Sequence, residues 1–388
     1  MEIEIRLRQV LKECGRDKHG ITQLIADDCG LHRHTVSKLY HNQAKNPSLD
    51  VLGKICGWLV DHDVRAALPQ ALFGSRPARL WQAVTATGHV AVYLGESHRV
   101  AGVVPARRSI SRRDAAVETN IIQHLTAVGA MGAEKTRPEL RTQYVPFRFS
   151  SRESIESRKR FKEDIERAKK VFDQMKAKDP PESAILIGSQ RVNYLVEYFV
   201  ADLFGCRPFQ RARDVTTPFY VTYRSFDRPV PSCFGGLKNP PGRGGRVLKG
   251  LYYLTEQGRW EVWEWKEAVQ DAGVVITVFE PETKVMRMAA FGFSGRGTSA
   301  VGTELVKHPR QFWPETSPPA DAEQGTRRRR RRRKKKQDRE VRVYICRFKF
   351  VPPENQPSGR DEDPEVSEAK ITPLSDRLLN KYLSTQAD

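Results

Sequence analysis

The sequence predicts an α+β multidomain chain, with an all-α N-terminal domain followed by an α/β domain built on a mixed sheet. Apolar residues recur at helical spacing up to about Asp63, and apolar strands alternate with helices from Trp81 onward. The Pro281-Glu282-Thr283 turn separates two consecutive strands, which calls for at least one antiparallel pair. A length of 388 residues, 39% hydrophobic and 29% charged, suffices for a small and a larger core.

Ile3, Leu7, Val10, Leu11 and Cys14 mark the buried stripe of a first helix. Thr22 is placed to cap a second, whose inner face carries Ile25, Ala26 and Cys29, and Gly30 suits the left-handed turn after it. His32 takes the cap position of a third helix, with Val36, Leu39 and Tyr40 on one face and Arg33, His34, Ser37 and Lys38 on the other. In the larger domain, His89–Gly95 reads as a strand, Asp114–Leu125 as a helix, Thr142–Phe149 as a strand, and Glu153 to about Lys178 as a charged helix. Strand Ala184–Gly188 and a helix from about Val192 to Phe204 follow, then strands near Phe219 and Leu251. The pair Gly273–Phe279 and Lys284–Phe291, another helix, and a final strand Val341–Phe350 complete the series.

Three segments read as unstructured: Pro231–Gly245, Thr316–Asp338, and Pro352 to about Glu365. The expected organisation is therefore a domain at 1–64, a linker at 65–80, and an α/β domain at 81–315 together with 339–351. A basic insertion at 316–338 and a C-terminal tail at 352–388 account for the rest.

Lysine and arginine outnumber aspartate and glutamate by 66 to 47, a net charge of +19 that favours an anionic partner such as nucleic acid. Ten of those charges lie in the run Arg327–Lys336, readable as a solvated loop, a phosphate-binding arm or a nuclear-localisation look-alike, with the DNA-contacting arm preferred. The first 64 residues are close to neutral, so by themselves they would gain little from neutralising the phosphates of a nucleic acid, and a dimer or the basic run would be needed to add to it. Six cysteines without any C-x-x-C pair argue against a disulfide framework or zinc module and for a reducing cytoplasm. Neither a signal peptide at Met1–Arg6 nor a membrane-length apolar stretch is read, so no membrane partner is expected.

The words Ile21-Thr22-Gln23-Leu24-Ile25-Ala26, Gly30-Leu31-His32-Arg33-His34-Thr35-Val36-Ser37-Lys38-Leu39 and Asn46-Pro47-Ser48-Leu49 resemble the phage-repressor (Cro-type, XRE) helix-turn-helix family. Leu52, Ile55, Cys56 and Leu59 resemble its closing helix, while His32 stands where the family commonly has serine or threonine. The resemblance implies a recognition helix in the major groove of double-stranded DNA, with His32, Arg33, His34, Thr35 and Lys38 at its leading end. Arg33 or Lys38 is suited to guanine. Thr22, Gln23, Asn42, Gln43 and Lys45 are the expected phosphate contacts.

Two strand-to-helix junctions in the larger domain, Gly188-Ser189-Gln190-Arg191-Val192-Asn193 and Ser294-Gly295-Arg296-Gly297-Thr298, carry small and hydrogen-bonding residues. At the carboxyl edge of an open sheet such loops suit a small phosphate-bearing ligand. Gly188, Ser189, Arg191, Asn193, Ser294, Gly295, Arg296, Gly297 and Thr298 are the candidates, against the plain reading of turns that need glycine. Glu96, taken as following the first strand, is a further candidate for a ribose hydroxyl or as a base. Gly295-x-Gly297-x-x-Ala300 fits the dinucleotide fingerprint only formally, because its strand belongs to a hairpin. No cofactor, metal site or catalytic residue is assigned, since Arg296 breaks G-x-S-x-G and the histidines lack ligand spacing.

The expected function is a sequence-specific, homodimeric transcription regulator whose α/β domain senses a ligand or holds the dimer. The larger domain also resembles, in architecture alone, the sensory domains of bacterial helix-turn-helix regulators. The alternatives are a nucleotide- or nucleoside-dependent enzyme or effector with a targeting module, and a protein-docking adaptor.

Overall fold

The computed structural model describes residues 3–5, 7–13, 16–44, 47–62, 73–75, 79–99, 107–131, 138–147, 155–210, 216–223, 231–236, 247–313, 339–351 and 365–383. Lys45, Asn46 and the basic run Arg327–Lys336 lie outside them. The chain forms two compact units: Met1–Pro77 with Ala130–Lys135, and Ala78–Gly129 with Thr136–Asp388.

The first unit packs α1 (Leu7–Glu13), α2 (Ile21–Cys29), α3 (Arg33–Tyr40) and α4 (Leu49–Asp61) around one core. Leu7, Leu11, Ile25, Val36, Leu39, Ile55 and Leu59 are buried there, each contributing on the order of 2 kcal/mol of apolar transfer. Polar ties fix the periphery. The Trp58 indole donates to Asp28 at 2.7 Å and stacks on His62, while Tyr40 donates a short hydrogen bond to Asp17.

Ile3 is not part of the first helix. Ile3–Ile5 forms β1, paired antiparallel with β2 (Phe73–Ser75), so the expected linker at 65–80 contains a strand of this unit. An Ile-Glu-Ile alternation has the strand period, but only a partner some seventy residues away stabilises it. Thr22 is not a cap either: Gly20, in the left-handed region at φ 86°, precedes α2, which begins at Ile21.

The second unit begins with α5 (Arg79–Thr85) and is organised on an eight-stranded mixed sheet. Its parallel strands are β3 (His89–Arg99), β5 (Glu139–Phe147), β6 (Ser183–Ile187) and β12 (Val285–Gly292), in spatial order β5-β3-β6-β12. β4 (Arg107–Ile110) pairs antiparallel with the end of β3. Beyond β12 the sheet turns antiparallel through β11 (Gln270–Glu280), β13 (Glu340–Phe350) and β14 (Val366–Pro373).

One face of the sheet is packed by α5, α6 (Arg112–Met131), α9 (Gly295–Lys307) and α10 (Pro309–Phe312), through Trp81, Ile121, Val301 and Phe312. The other is packed by α7 (Ile155–Lys176), α8 (Tyr194–Phe204), α11 (Asp376–Leu383) and a second sheet. That sheet orders β10-β9-β7-β8, from β7 (Phe219–Thr222), β8 (Gly235–Gly236), β9 (Gly250–Leu254) and β10 (Trp260–Glu264).

Two expectations are corrected. The segment 352–388 is not simply a tail, because β14 extends the sheet past Val341–Phe350 and α11 follows it. Its Ser-Glu-Ala-Lys pattern is polar because β14 is the exposed sheet edge, and composition alone reads such a strand as disorder. The stretch Pro231–Gly245 is not wholly irregular: Cys233 and Phe234 are buried and Gly235–Gly236 pairs with β7.

Candidate functional site

The first unit presents a helix whose outer face is left to solvent. Gly30 ends α2 at φ 61°, its N–H donating to Ala26 and Asp27 carbonyls, and the chain turns within two residues. His32 then caps α3, its Nδ1 accepting the His34 N–H at 3.2 Å. An imidazole nitrogen thus does what a serine oxygen does at other helix starts. Val36 and Leu39 point into the core, Thr35, Ser37 and Tyr40 are half-buried, and Arg33, His34 and Lys38 are exposed. Thr22 is half-buried in the first turn of α2, and the exposed Gln23 donates to Asp27 at 2.7 Å. Past α3, Asn42 takes φ 54° and Gln43 donates its N–H to the Lys38 carbonyl at 2.7 Å, so both sit exposed in a tight turn.

Two helices joined by a tight turn, the second carrying an outward row of donors, form a helix-turn-helix unit. Residues 6–59 match the family model of the Cro/C1-type helix-turn-helix DNA-binding domain, and the N-terminal unit is a domain of that type. No curated protein and no solved structure matches the chain.

In the second unit, the parallel strands β3, β6 and β12 end side by side, and the two glycine-bearing junctions meet the start of α6 there. A Cβ on Gly188 would stand 3.1 Å from Asp114 Oδ2, and one on Gly295 3.1 Å from Arg113 Cδ. Most of the polar side chains of these loops build the loops themselves. Asn193 is fully buried: its Oδ1 accepts the Leu195 N–H at 3.1 Å, and its Nδ2 donates to the carbonyls of Tyr93 at 3.0 Å and Ile187 at 2.9 Å. It therefore staples β3 to β6. Gly188, at φ 100°, is buried too. Ser294 donates to Asp271 and accepts the Arg296 N–H, the buried Gly297 N–H donates to Asp271 at 3.1 Å, and Thr298 Oγ1 accepts the Gly292 N–H at 3.0 Å.

Ser189, Arg191, Gly295, Arg296 and Arg113 are half-exposed and Arg112 is exposed, giving this edge a cationic rim. The Arg191 guanidinium lies 5.0 Å from the centre of the Tyr223 ring, which stacks on Phe293 at 5.4 Å. Glu96 does not follow the first strand. β3 continues to Arg99, and Glu96 is a half-buried strand residue opposite Ile110 and Pro146.

Sequence reasoning missed Asp114 and Asp271. Burial pushes each carboxyl up to about 6, with hydrogen bonds from Ser111 and from Ser294, Ala272 and Gly297 respectively pulling the other way. The available signal for Asp271 was one acid opening an otherwise apolar strand. Among the described residues, no group of three or more histidine, cysteine, aspartate or glutamate side chains is placed to hold a metal ion. Nor is any helix there long and apolar enough to cross a membrane.

Proposed function

We propose that the chain is a sequence-reading transcription regulator of the cytoplasm that binds operator DNA as a homodimer through α3. Arg33, His34, Thr35 and Lys38 reach base edges, His32 holds the helix start, and Thr22, Gln23, Asn42, Gln43 and Lys45 meet phosphates. The observation that carries this reading is the exposure of Arg33, His34 and Lys38 on a helix whose opposite face is anchored by Val36 and Leu39. The near-neutral first unit gives little counterion release by itself, and this favours two reading heads or help from Arg327–Lys336.

The second unit, in this proposal, senses a small phosphate-bearing ligand at the edge lined by Ser189, Arg191, Gly295 and Arg296, with Arg112 and Arg113 adding positive charge. Gly188, Asn193, Ser294, Gly297 and Thr298 shape that edge from behind. A ligand shifts the spacing of the reading heads only as far as its differential affinity for the two arrangements allows.

The test is selection of bound sequences from a random duplex pool by the full chain and by an Arg33→Ala/Lys38→Ala variant. A motif enriched by the first and lost in the second is expected, at about 1–3 kcal/mol for each good base contact. Two-fold symmetry of the motif would report the dimer. Equal, sequence-independent binding by both proteins rejects the reading.

A further inference from the structure

Behind the cationic edge lies a cluster that the proposed function leaves unused. Glu197 on α8 is wholly buried and accepts three hydrogen bonds: from the Ser232 hydroxyl at 2.7 Å, the Cys233 N–H at 2.7 Å and the Phe209 N–H at 2.9 Å. The caged carboxyl fixes the Ser232-Cys233 backbone against the end of α8. Just past that end, beyond the left-handed Gly205, stands Cys206, half-exposed, with its sulfur 2.8 Å from Thr216 Oγ1. The buried Cys233 thiol lies beside it, near enough for the two sulfurs to shift each other's ionisation. Two cysteines 27 positions apart in sequence thus share one cluster, with one member open to solvent and the other enclosed.

We propose that Cys206 and Cys233 form a reversible oxidation site for hydroperoxides, with Cys206 as the attacking thiol and Cys233 as the resolving one. The Cys206 thiolate attacks the peroxide oxygen, forming the sulfenic acid as the O–O bond breaks and the leaving alkoxide or hydroxide takes up the thiol proton. The Cys233 sulfur then attacks the sulfenic sulfur. Its proton and the departing hydroxide make water, and the product is a Cys206–Cys233 disulfide. The two thiols lose two electrons to the peroxide in total. Glu197, next to Cys233, is placed to relay that proton to the departing hydroxide.

The asymmetry of the pair matches these roles. The neighbouring Cys233 thiol and the Thr216 hydroxyl favour the thiolate of Cys206 and bring it down to about 7, whereas Cys233 is pushed well up by that same neighbour and by burial. Burial instead raises Cys29 and Cys56, which are also half-exposed and serve as internal controls. At pH 7, Cys206 is expected to react with iodoacetamide at least about tenfold faster than either.

The experiment treats the reduced full chain with hydrogen peroxide, blocks remaining thiols and maps disulfides by peptide mass spectrometry. The expected product joins the peptides carrying Cys206 and Cys233 and disappears on adding dithiothreitol. In a Cys233→Ser variant, dimedone is expected to trap the sulfenic acid on Cys206, and a Cys206→Ser variant is expected to give no adduct on Cys233. Oxidation of Cys29 or Cys56 in wild-type protein at a dose that leaves Cys206 reduced overturns the proposal. So does conversion of wild-type Cys206 to sulfinic acid without the link, and neither outcome depends on whether the variants fold.

Discussion

The two units treat their polar side chains in opposite ways. On α3, Arg33, His34 and Lys38 face solvent while the structural work falls on Val36, Leu39 and one histidine cap. In the second unit, Asn193, Ser294, Thr298 and Asp271 bond to the backbone and to each other, and what is left outward is mainly arginine. A hydrogen-bonding loop is therefore not equivalent to a binding surface. Where strands end in a closely packed edge, many of its donors and acceptors are already engaged by the turn they form.

Glycine substitutions probe this difference most strongly. A Cβ on Gly95 would fall 1.4 Å from the Val192 carbonyl oxygen, whereas one on Gly57 of α4 meets nothing within 4 Å. Gly95→Ala is expected to destabilise the second unit by about 3 kcal/mol or more, because relief requires moving the loop that Asn193 staples. Gly57→Ala is expected to stabilise the first unit by up to about 1 kcal/mol. Urea unfolding followed by circular dichroism checks both, and equal effects would break the comparison.

Acid titration comes next in size. With Asp114 and Asp271 both near 6, the folded chain holds protons between about pH 4 and 6 that the unfolded chain has released. Stability is therefore expected to fall as pH rises through that window, by about 3 kcal/mol for each carboxyl, and to level off above it. Asp271→Asn should remove roughly half of this slope in denaturant midpoints measured across that range. An unchanged slope would show that Asp271 does not hold its proton into this range. The smallest effect belongs to α3: His32→Ala is expected to cost about 1 kcal/mol and His32→Ser to keep the wild-type stability, as read from thermal unfolding.

The same contrast explains what could be read from the chain alone. Gly30, His32, Val36 and Leu39 lie within ten positions, so helical period and turn chemistry are enough to place them. The mixed sheet was also legible, because the hairpin at Pro281-Glu282-Thr283 and the strand-helix alternation are local. What escaped depends on distant pairing: Ile3–Ile5 with Phe73–Ser75, Asn193 with Tyr93, Asp271 with Ser294, and Gly95 beneath Val192. In each case the residue type gives half of the contact and the topology supplies the other half. Glu96 was misplaced for a related reason, since β3 runs on past Gly95 through its pairing with β4 and β5.

Strand β14 bears on how this protein is handled at the bench. It covers the outer edge of the eleven-residue β13, and its charged positions, including Lys349–Glu368 at 2.6 Å across the pair, keep that border hydrophilic. Trimming the chain after residue 351, where composition invites a stop codon, would strip β13 of one row of backbone partners beside Val343 and Ile345. The shortened product would then tend to self-associate through that bare edge, and poor yield would say nothing about its fold or its DNA binding.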